Sequence, residues 1–374
     1  FDKSAANNPG NQVFRLQDRT DYVELRPEID FYRGAFTLDL SPRLRWTREL
    51  VETRPGGRES EVEWDAEIAY FTATYDTDFG RIQAGRYVNL WGSSMFVSPS
   101  NPFHPDSGQS SPYIELDARD YVEASYSLSS SWSSRIIFNF DEGAQEYSGA
   151  DDPVGIVTAD YFGDTLAASA LAEVSEDWWG IGGYGQWTPN EAVVIYGDGI
   201  VRRGPRPIPV ATGTGLARDP DDEWSLKALG GAAYSFKDGT TVSLEYLFNS
   251  AGYDDDEAAR AFALHESGIA PSASSAARAG VRALAEVPFL DLRRNYLLGR
   301  LSRTSLIWED VDLNVLYAHG VDDGSGRFVA NADWFVSDNG KLFFNTTVFH
   351  GGEGSEFGRF VETQLTVGIR WSLF

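Results

Sequence analysis

Charged side chains recur at every second position early in the chain, in a pattern suited to holding fixed charges rather than making bonds. Glu24, Arg26, Glu28 and Asp30 alternate with Val23, Leu25, Pro27, Ile29 and Phe31. Asp39, Arg43 and Arg45 share a phase with Thr37 and Ser41, against Phe36, Leu38, Leu40, Pro42, Leu44 and Trp46. Glu63, Asp65 and Glu67 alternate with Val62, Trp64, Ala66 and Ile68. A period of two gathers the charges of each run on one face of a strand. Carboxylates and guanidiniums arrayed in this way set a field that sorts solutes by charge. Arg81, Lys227, Arg327, Asp333 and Arg370 extend the set around the rest of the chain.

Bond chemistry finds no comparable support. The four histidines, His104, His265, His319 and His350, are too scattered to form a ligand pair. Gly213-Thr214-Gly215 lacks the third glycine and the strand-to-helix setting of a nucleotide loop. No serine occupies a nucleophile elbow. The acidic runs around Asp219–Glu223 and Asp254–Asp256 offer oxygen ligands for a hard cation. No twelve-residue loop orders them, so they read as solvated negative surface. Catalytic residues, metal and cofactor are all expected to be absent.

The elements that position these charges must be strands. Of 374 residues 14% are aromatic and 37 are Gly, with one Met, no Cys and a net charge of −25, a balance unlike that of a soluble α/β enzyme. The lack of Cys fits an oxidising compartment and removes disulfides and thiolate sites. So large a negative charge argues against nucleic acid as a partner. No run of about 18 apolar residues exists, which leaves a closed barrel as the way across a bilayer. Strands are expected at Val13–Leu16, in the three runs above, and at Tyr121–Leu128, Ser134–Phe140, Val154–Tyr161, Thr165–Val174, Trp178–Trp187 and Ala192–Val201. More follow at Trp224–Phe236, Thr241–Asn249, Asn295–Trp308, Val311–Ala318, Arg327–Val336 and Lys341–Phe349. Tight turns fall at Thr188–Glu191, Lys237–Gly239 and Asp338–Lys341. Alternation with long connections implies one all-β domain over residues 1–374. It is an antiparallel transmembrane barrel of about eighteen strands, or sixteen without the first and the Val154 strand, with short periplasmic turns and long extracellular loops. Residues 1–11 are read as a periplasmic segment, with a signal peptide already removed before Phe1.

In the last sixteen residues Val361, Thr363, Leu365, Val367, Ile369, Trp371 and Leu373 oppose Glu362, Gln364, Thr366, Gly368, Arg370 and Ser372, and the chain stops on Phe374. This ending resembles the closing strand of bacterial outer-membrane β-barrels. The resemblance implies integral outer-membrane placement and contact with outer-membrane lipid and lipopolysaccharide. It also makes Phe374 the signal read by the barrel-assembly machinery. The stretch from Gly80 to Gly92, with Arg81, Gly85 and Arg86, resembles the glycine-arginine strand of alginate-export-type and related porin-like barrels. Arg86 shares phase with Ile82, Ala84, Val88 and Leu90. It is therefore either a wall-packing or interfacial arginine, or, if Gly85 bulges the strand, a basic residue in a constriction.

Four insertions, 92–119, 141–152, 202–223 and 252–294, carry the chain's individuality. Only the last has helix-forming content, with Asp254–Asp256 capping Glu257–His265 and Ser274 or Ser275 opening a turn toward Glu286. It is expected to gate the lumen, with Arg260, Arg278 and Arg282 pairing with Glu24, Glu28, Glu63 and Glu67. The function expected is a channel that filters polar or charged solutes electrostatically. The alternatives are a conduit for a secreted polysaccharide, with a periplasmic export partner, and a structural sleeve around another protein.

Overall fold

The computed structural model describes residues 11, 15–54, 56–104, 116, 118–141, 153–212, 215–217, 219, 221–268, 274–306, 310–352, 354–358 and 362–372. Strands dominate because β-branched and aromatic residues recur at every second position, so that one face of each run is uniformly apolar. β1 (Arg19–Leu25) and β2 (Ile29–Arg33) lie end to end against β3 (Phe36–Thr53), pairing Val23 with Trp46 and Ile29 with Leu40. From β3 the chain meanders through β4 (Gly57–Thr77), β5 (Gly80–Tyr87), β6 (Arg119–Ser127), β7 (Trp132–Asp141), β8 (Val154–Phe162), β9 (Leu166–Val174), β10 (Trp179–Asn190) and β11 (Val193–Pro205). A small hairpin, β12 (Val210–Thr212) and β13 (Gly215–Ala217), precedes β14 (Asp222–Ser235) and β15 (Thr240–Asn249). Helices α1 (Asp255–Gly268) and α2 (Ser275–Glu286) come next, then β16 (Asn295–Arg303), β17 (Val311–Gly320), β18 (Gly326–Ser337), β19 (Gly340–His350) and β20 (Thr363–Trp371).

Eighteen of these strands form one antiparallel sheet, and only the β12–β13 hairpin stands apart. The expected number is met by a different division. Pro27 splits the run from Val23 to Phe31 into β1 and β2, and by register it faces Pro42 of β3. Two prolines opposite one another remove the ladder donor from both strands. The sixteen-strand alternative fails, since β8 is paired on both sides, with β7 and β9. Residues 1–10 of the segment read as periplasmic, Val13 and Phe14 of the first expected strand, and Phe374 lie outside the described residues, as do Trp308 at the end of one expected strand and residues 142–152 of the second insertion. Asn11 donates to the Glu52 carbonyl near the β3–β4 link, the end of the barrel that the long insertions share, and Arg15 and Leu16 are not in a strand. β11 runs on to Pro205 and β14 starts at Asp222, so the third insertion is shorter than 202–223.

The sheet curls into a barrel whose two faces differ in chemistry. On β15 Ser243, Glu245 and Leu247 are buried while Val242, Leu244 and Tyr246 are exposed. On β20 Leu365, Val367, Ile369 and Trp371 are 60, 68, 70 and 59% exposed. Contiguous apolar surface of this extent is a liability in water and a requirement in lipid. Inward side chains meet across strands that are not neighbours, as when Tyr196 of β11 donates to Glu245 of β15 at 2.7 Å. Because connections alternate between the two ends of a meander, the tight links β10–β11, β14–β15 and β18–β19 share one end. The insertions after β5 and β15 share the other, as expected.

Candidate pore and its constriction loop

The insertion after β5 turns into the barrel. Gly92 sits at φ +108°, where a side chain would also meet Ser98 Oγ and Asp198 Oδ2 at 2.4 and 2.7 Å, so the turn depends on glycine. Beyond it, two carboxylates on the far wall hold the loop. Glu245 of β15 accepts hydrogen bonds from Ser94 Oγ at 2.6 Å and from the Met95 N–H at 3.2 Å. Asp198 of β11 accepts from Ser98 Oγ at 2.7 Å and from the Ser100 N–H at 2.9 Å. Asn101 folds the next turn, its Oδ1 accepting from the N–H groups of Phe103 and His104, both at 3.0 Å. Apolar contacts complete the seat. Phe96 and Val97 are buried among Tyr196, Leu229, Leu247 and Leu298, and Phe103 lies edge-on to Trp91 and Tyr121.

The fourth insertion behaves differently from expectation. Its helices form where the sequence places them, and Asp254 and Glu257 close a reciprocal cap, each accepting from the other's N–H at 2.9 and 3.0 Å. They bury Tyr253, Ala258, Ala261, Phe262 and Leu284 against Ile208 and Leu216 of the third insertion, so that the two insertions make one helical lid. Glu24 and Glu67 take their counter-charges from wall arginines, not from this insertion. Arg206 joins the lid to the rim, donating to both Glu257 oxygens at 2.8 and 3.0 Å and to the Ala251 carbonyl at 2.8 Å. Those bonds hold the Glu257 carboxyl down to about 2. A depressed carboxylate stabilises the docked lid fully above its unfolded value of about 4.5 and loses that contribution as pH falls through about 2. The hydrogen-exchange protection of α1, taken relative to the intrinsic amide rate at each pH, is therefore expected to be unchanged from pH 7 to 5 and to fall only in stronger acid. Loss of protection already near pH 6 would contradict this.

The wall from β1 to β5 gathers most of the charges found in the sequence. Arg45 is flanked in register by Glu24 on β1 and Asp65 on β4, and donates to Glu24 Oε2 from Nε at 2.9 Å and from Nη2 at 2.6 Å. Arg26 reaches Glu24 Oε1 at 2.9 Å and lies over the Tyr70 ring. Arg43 pairs with Glu67, Glu63 faces Thr47, and Asp39 accepts from Thr72 Oγ1 at 2.9 Å. Asp30 lies opposite Asp39, while Glu28 falls in the break at Pro27. Arg81 pairs with Asp76 at 2.7 Å, well exposed near the β4–β5 turn. On the other flank, Asp333 holds Lys341 at 2.7 Å, Arg370 is the register partner of Lys341, and Arg327 lies over the Phe289 ring. Lys227 is taken by Asp291 at the base of the fourth insertion.

Arg86 resolves as the wall-packing reading. It keeps the phase of Ile82 and Ala84, is paired in register with Asp120, and donates to both Asp120 oxygens at 2.8 and 2.9 Å. Glu245 and Asp198, which hold the constriction, were not singled out from the sequence. Nor were Arg202 with Glu173 at 2.5 Å, and Arg135 with Asp160 at 3.3 Å. Their signal is an ionisable residue on the inward phase of an otherwise aliphatic strand, which local reading passes over.

No family model and no curated protein matches the chain. Solved structures do. Acinetobacter baumannii OccAB1 is similar at 10% identity, over 94% of this chain and 89% of that one, with a TM-score of 0.58. Pseudomonas aeruginosa OccK5 (OpdH) is similar at 11% identity, over 94% and 96%, with a TM-score of 0.52. The outer membrane protein OprD from Pseudomonas aeruginosa is similar at 11% identity, over 94% and 91%, at 0.50. The fold is that of an outer-membrane β-barrel of the OprD and Occ type. Barrels of this type carry their apolar band outward and their polar face inward, which is the division seen on β15 and β20. The expected porin-like architecture therefore stands. The polysaccharide-export likeness of the Gly80–Gly92 stretch finds no support among these neighbours.

Proposed function

We propose that the chain is an integral outer-membrane channel that passes small polar or charged solutes by passive diffusion and does no chemistry on them. The observation that carries this reading is the seat of the first insertion. It holds the loop to Glu245 and Asp198 on one side of the lumen and leaves the charged wall of β1–β5 facing the remaining space. A sleeve around another protein, or a bore for a polymer, needs a clear lumen, and the packed loop narrows it. Outer-membrane lipid and lipopolysaccharide would contact the apolar exterior, and the assembly machinery would deliver the barrel to the membrane.

The wall also sets the sign of the filter. Arg45 stands between Glu24 and Asp65, Arg43 faces Glu67, and Glu63 and Asp39 lie further along the same face opposite Thr47 and Thr72, so carboxylates outnumber guanidiniums on this strip. Fixed charge in a narrow aqueous passage enriches the opposite ion. In a planar bilayer under a potassium chloride gradient, the reversal potential is expected to show cation preference. Replacing Glu63, Asp65 and Glu67 with Gln, Asn and Gln should move it toward anion preference. An anion-selective parent channel, or a triple variant with unchanged selectivity, would overturn this reading.

A further inference from the structure

The outward face of β10, β11 and β14 carries two rows of side chains that together have the layout of a lipid molecule. Trp179, Arg203 and Trp224 are direct register partners across the three strands. Two residues along each strand in the same phase lie Ile181, Val201 and Leu226, which pair in the same order and are 60, 40 and 39% exposed. The upper row is a cation between two indoles. The Arg203 guanidinium lies 5.9 Å from the Trp224 ring centroid, and the Trp179 and Trp224 rings meet edge-on at 5.3 Å. Arg203 is exposed, and among the described residues no carboxylate pairs with it. Arg86, on the same outward phase elsewhere, is neutralised by Asp120.

Height along the barrel fixes what this trio meets. Val193 starts β11 at the tight-turn end, and Arg203 lies ten residues further on. At about 3.3 Å per residue and a tilt of about 35–45°, that is roughly 23–27 Å, the height of the apolar band of such barrels. Trp187 and Tyr234 occupy the opposite end of the same strands, so the band is bounded by aromatic residues on both sides. Arg203 therefore sits at the outer interface, with aliphatic residues just below it on the membrane side.

We propose that Trp179, Arg203 and Trp224 form a binding site for the phosphate headgroup of an outer-leaflet lipid, whose acyl chain lies along Ile181, Val201 and Leu226. A phosphate accepts hydrogen bonds from a guanidinium in a planar, charge-assisted arrangement, and the Trp224 ring, itself braced edge-on by Trp179, lies against the fork. Charge complementarity selects this ligand, because phosphate is the anionic group a bilayer presents at that depth. The proposal rests on the membrane-spanning reading and is independent of solute passage.

The test is native mass spectrometry of the full chain in detergent, with three probes: didodecanoyl phosphatidic acid, the matched diacylglycerol without phosphate, and inorganic phosphate. The parent protein is expected to retain one phosphatidic acid in preference to diacylglycerol. Arg203→Gln should weaken that retention by about fivefold, the contribution of one interfacial cation, and Arg203→Lys, which keeps the charge but not the planar fork, should recover only part of it. Heat-modifiability gels and unchanged single-channel conductance would show that the variants keep the barrel. Equal retention of diacylglycerol, or no effect of Arg203→Gln in folded protein, would overturn the proposal. Retention of inorganic phosphate as strong as that of phosphatidic acid would replace the lipid with a free anion and overturn it as well.

Discussion

Releasing the constriction loop is expected to raise single-channel conductance severalfold while the barrel stays folded. The variant is Glu245→Ala combined with Asp198→Ala. Glu245 accepts from Ser94 Oγ, the Met95 N–H and the Tyr196 hydroxyl, and Asp198 accepts from Ser98 Oγ and the Ser100 N–H. Each buried donor left without its acceptor costs about 1–3 kcal/mol. The two substitutions together exceed what the Phe96 and Val97 contacts offset, since burying a side chain of this kind contributes about 1.5–3 kcal/mol. The strand ladders use none of these side chains, so the wall persists. Conductance unchanged in a folded double variant would show that the loop is held by its apolar contacts alone.

The second large effect concerns the wall itself. Val367→Arg on β20 is expected to cost roughly 2–4 kcal/mol, whereas Gln364→Arg, on the opposite phase of the same strand, should cost little. Val367 is 68% exposed on the face shared with Leu365 and Ile369, and Gln364 shares its face with Thr366 and Arg370. An outward guanidinium must be carried into hydrocarbon, while an inward one meets water. The comparison is read as the denaturant midpoint of barrel unfolding in vesicles, followed by the loss of heat-modifiable migration. Similar midpoints for the two variants would contradict the assignment of faces.

How far the sequence anticipates this structure depends on how local each feature is. β20 was legible because lipid and water meet its two faces, so each residue type reports its own environment. Helices α1 and α2 were legible because capping is a matter of three or four residues, as Asp254 and Glu257 show. The break between β1 and β2 was not, although Pro27 was visible. Its consequence depends on Pro42 standing opposite, which is a fact of register. For Arg86 the phase was legible, but the choice between its two readings waited on Asp120 across the ladder.

The site itself was half legible, for the same reason. The charged strip was visible as a period of two on contiguous runs. The identity of the constricting loop was not, because Ser94 and Glu245 lie 151 residues apart and neither carries a local signature. Helix content made the fourth insertion look like the compact plug. Its helices instead packed on the neighbouring insertion, where their apolar face found Ile208 and Leu216. The first insertion, rich in Ser, Asn and Pro, spends the hydrogen bonds of Ser94, Ser98 and Ser100 on the far wall.

The central claim is that solutes pass between the seated loop and the charged wall of β1–β5. The absence of native cysteine makes it directly testable. Single-channel current should be recorded in a planar bilayer for Asp65→Cys before and after adding a bulky, water-soluble thiol reagent, with Val242→Cys on the outward face of β15 as the control. Stepwise block of open Asp65→Cys channels, with the current through Val242→Cys unaffected, is the result this account predicts. Modified Asp65→Cys channels that conduct as before, or a purified folded barrel that shows no channel current, would contradict it.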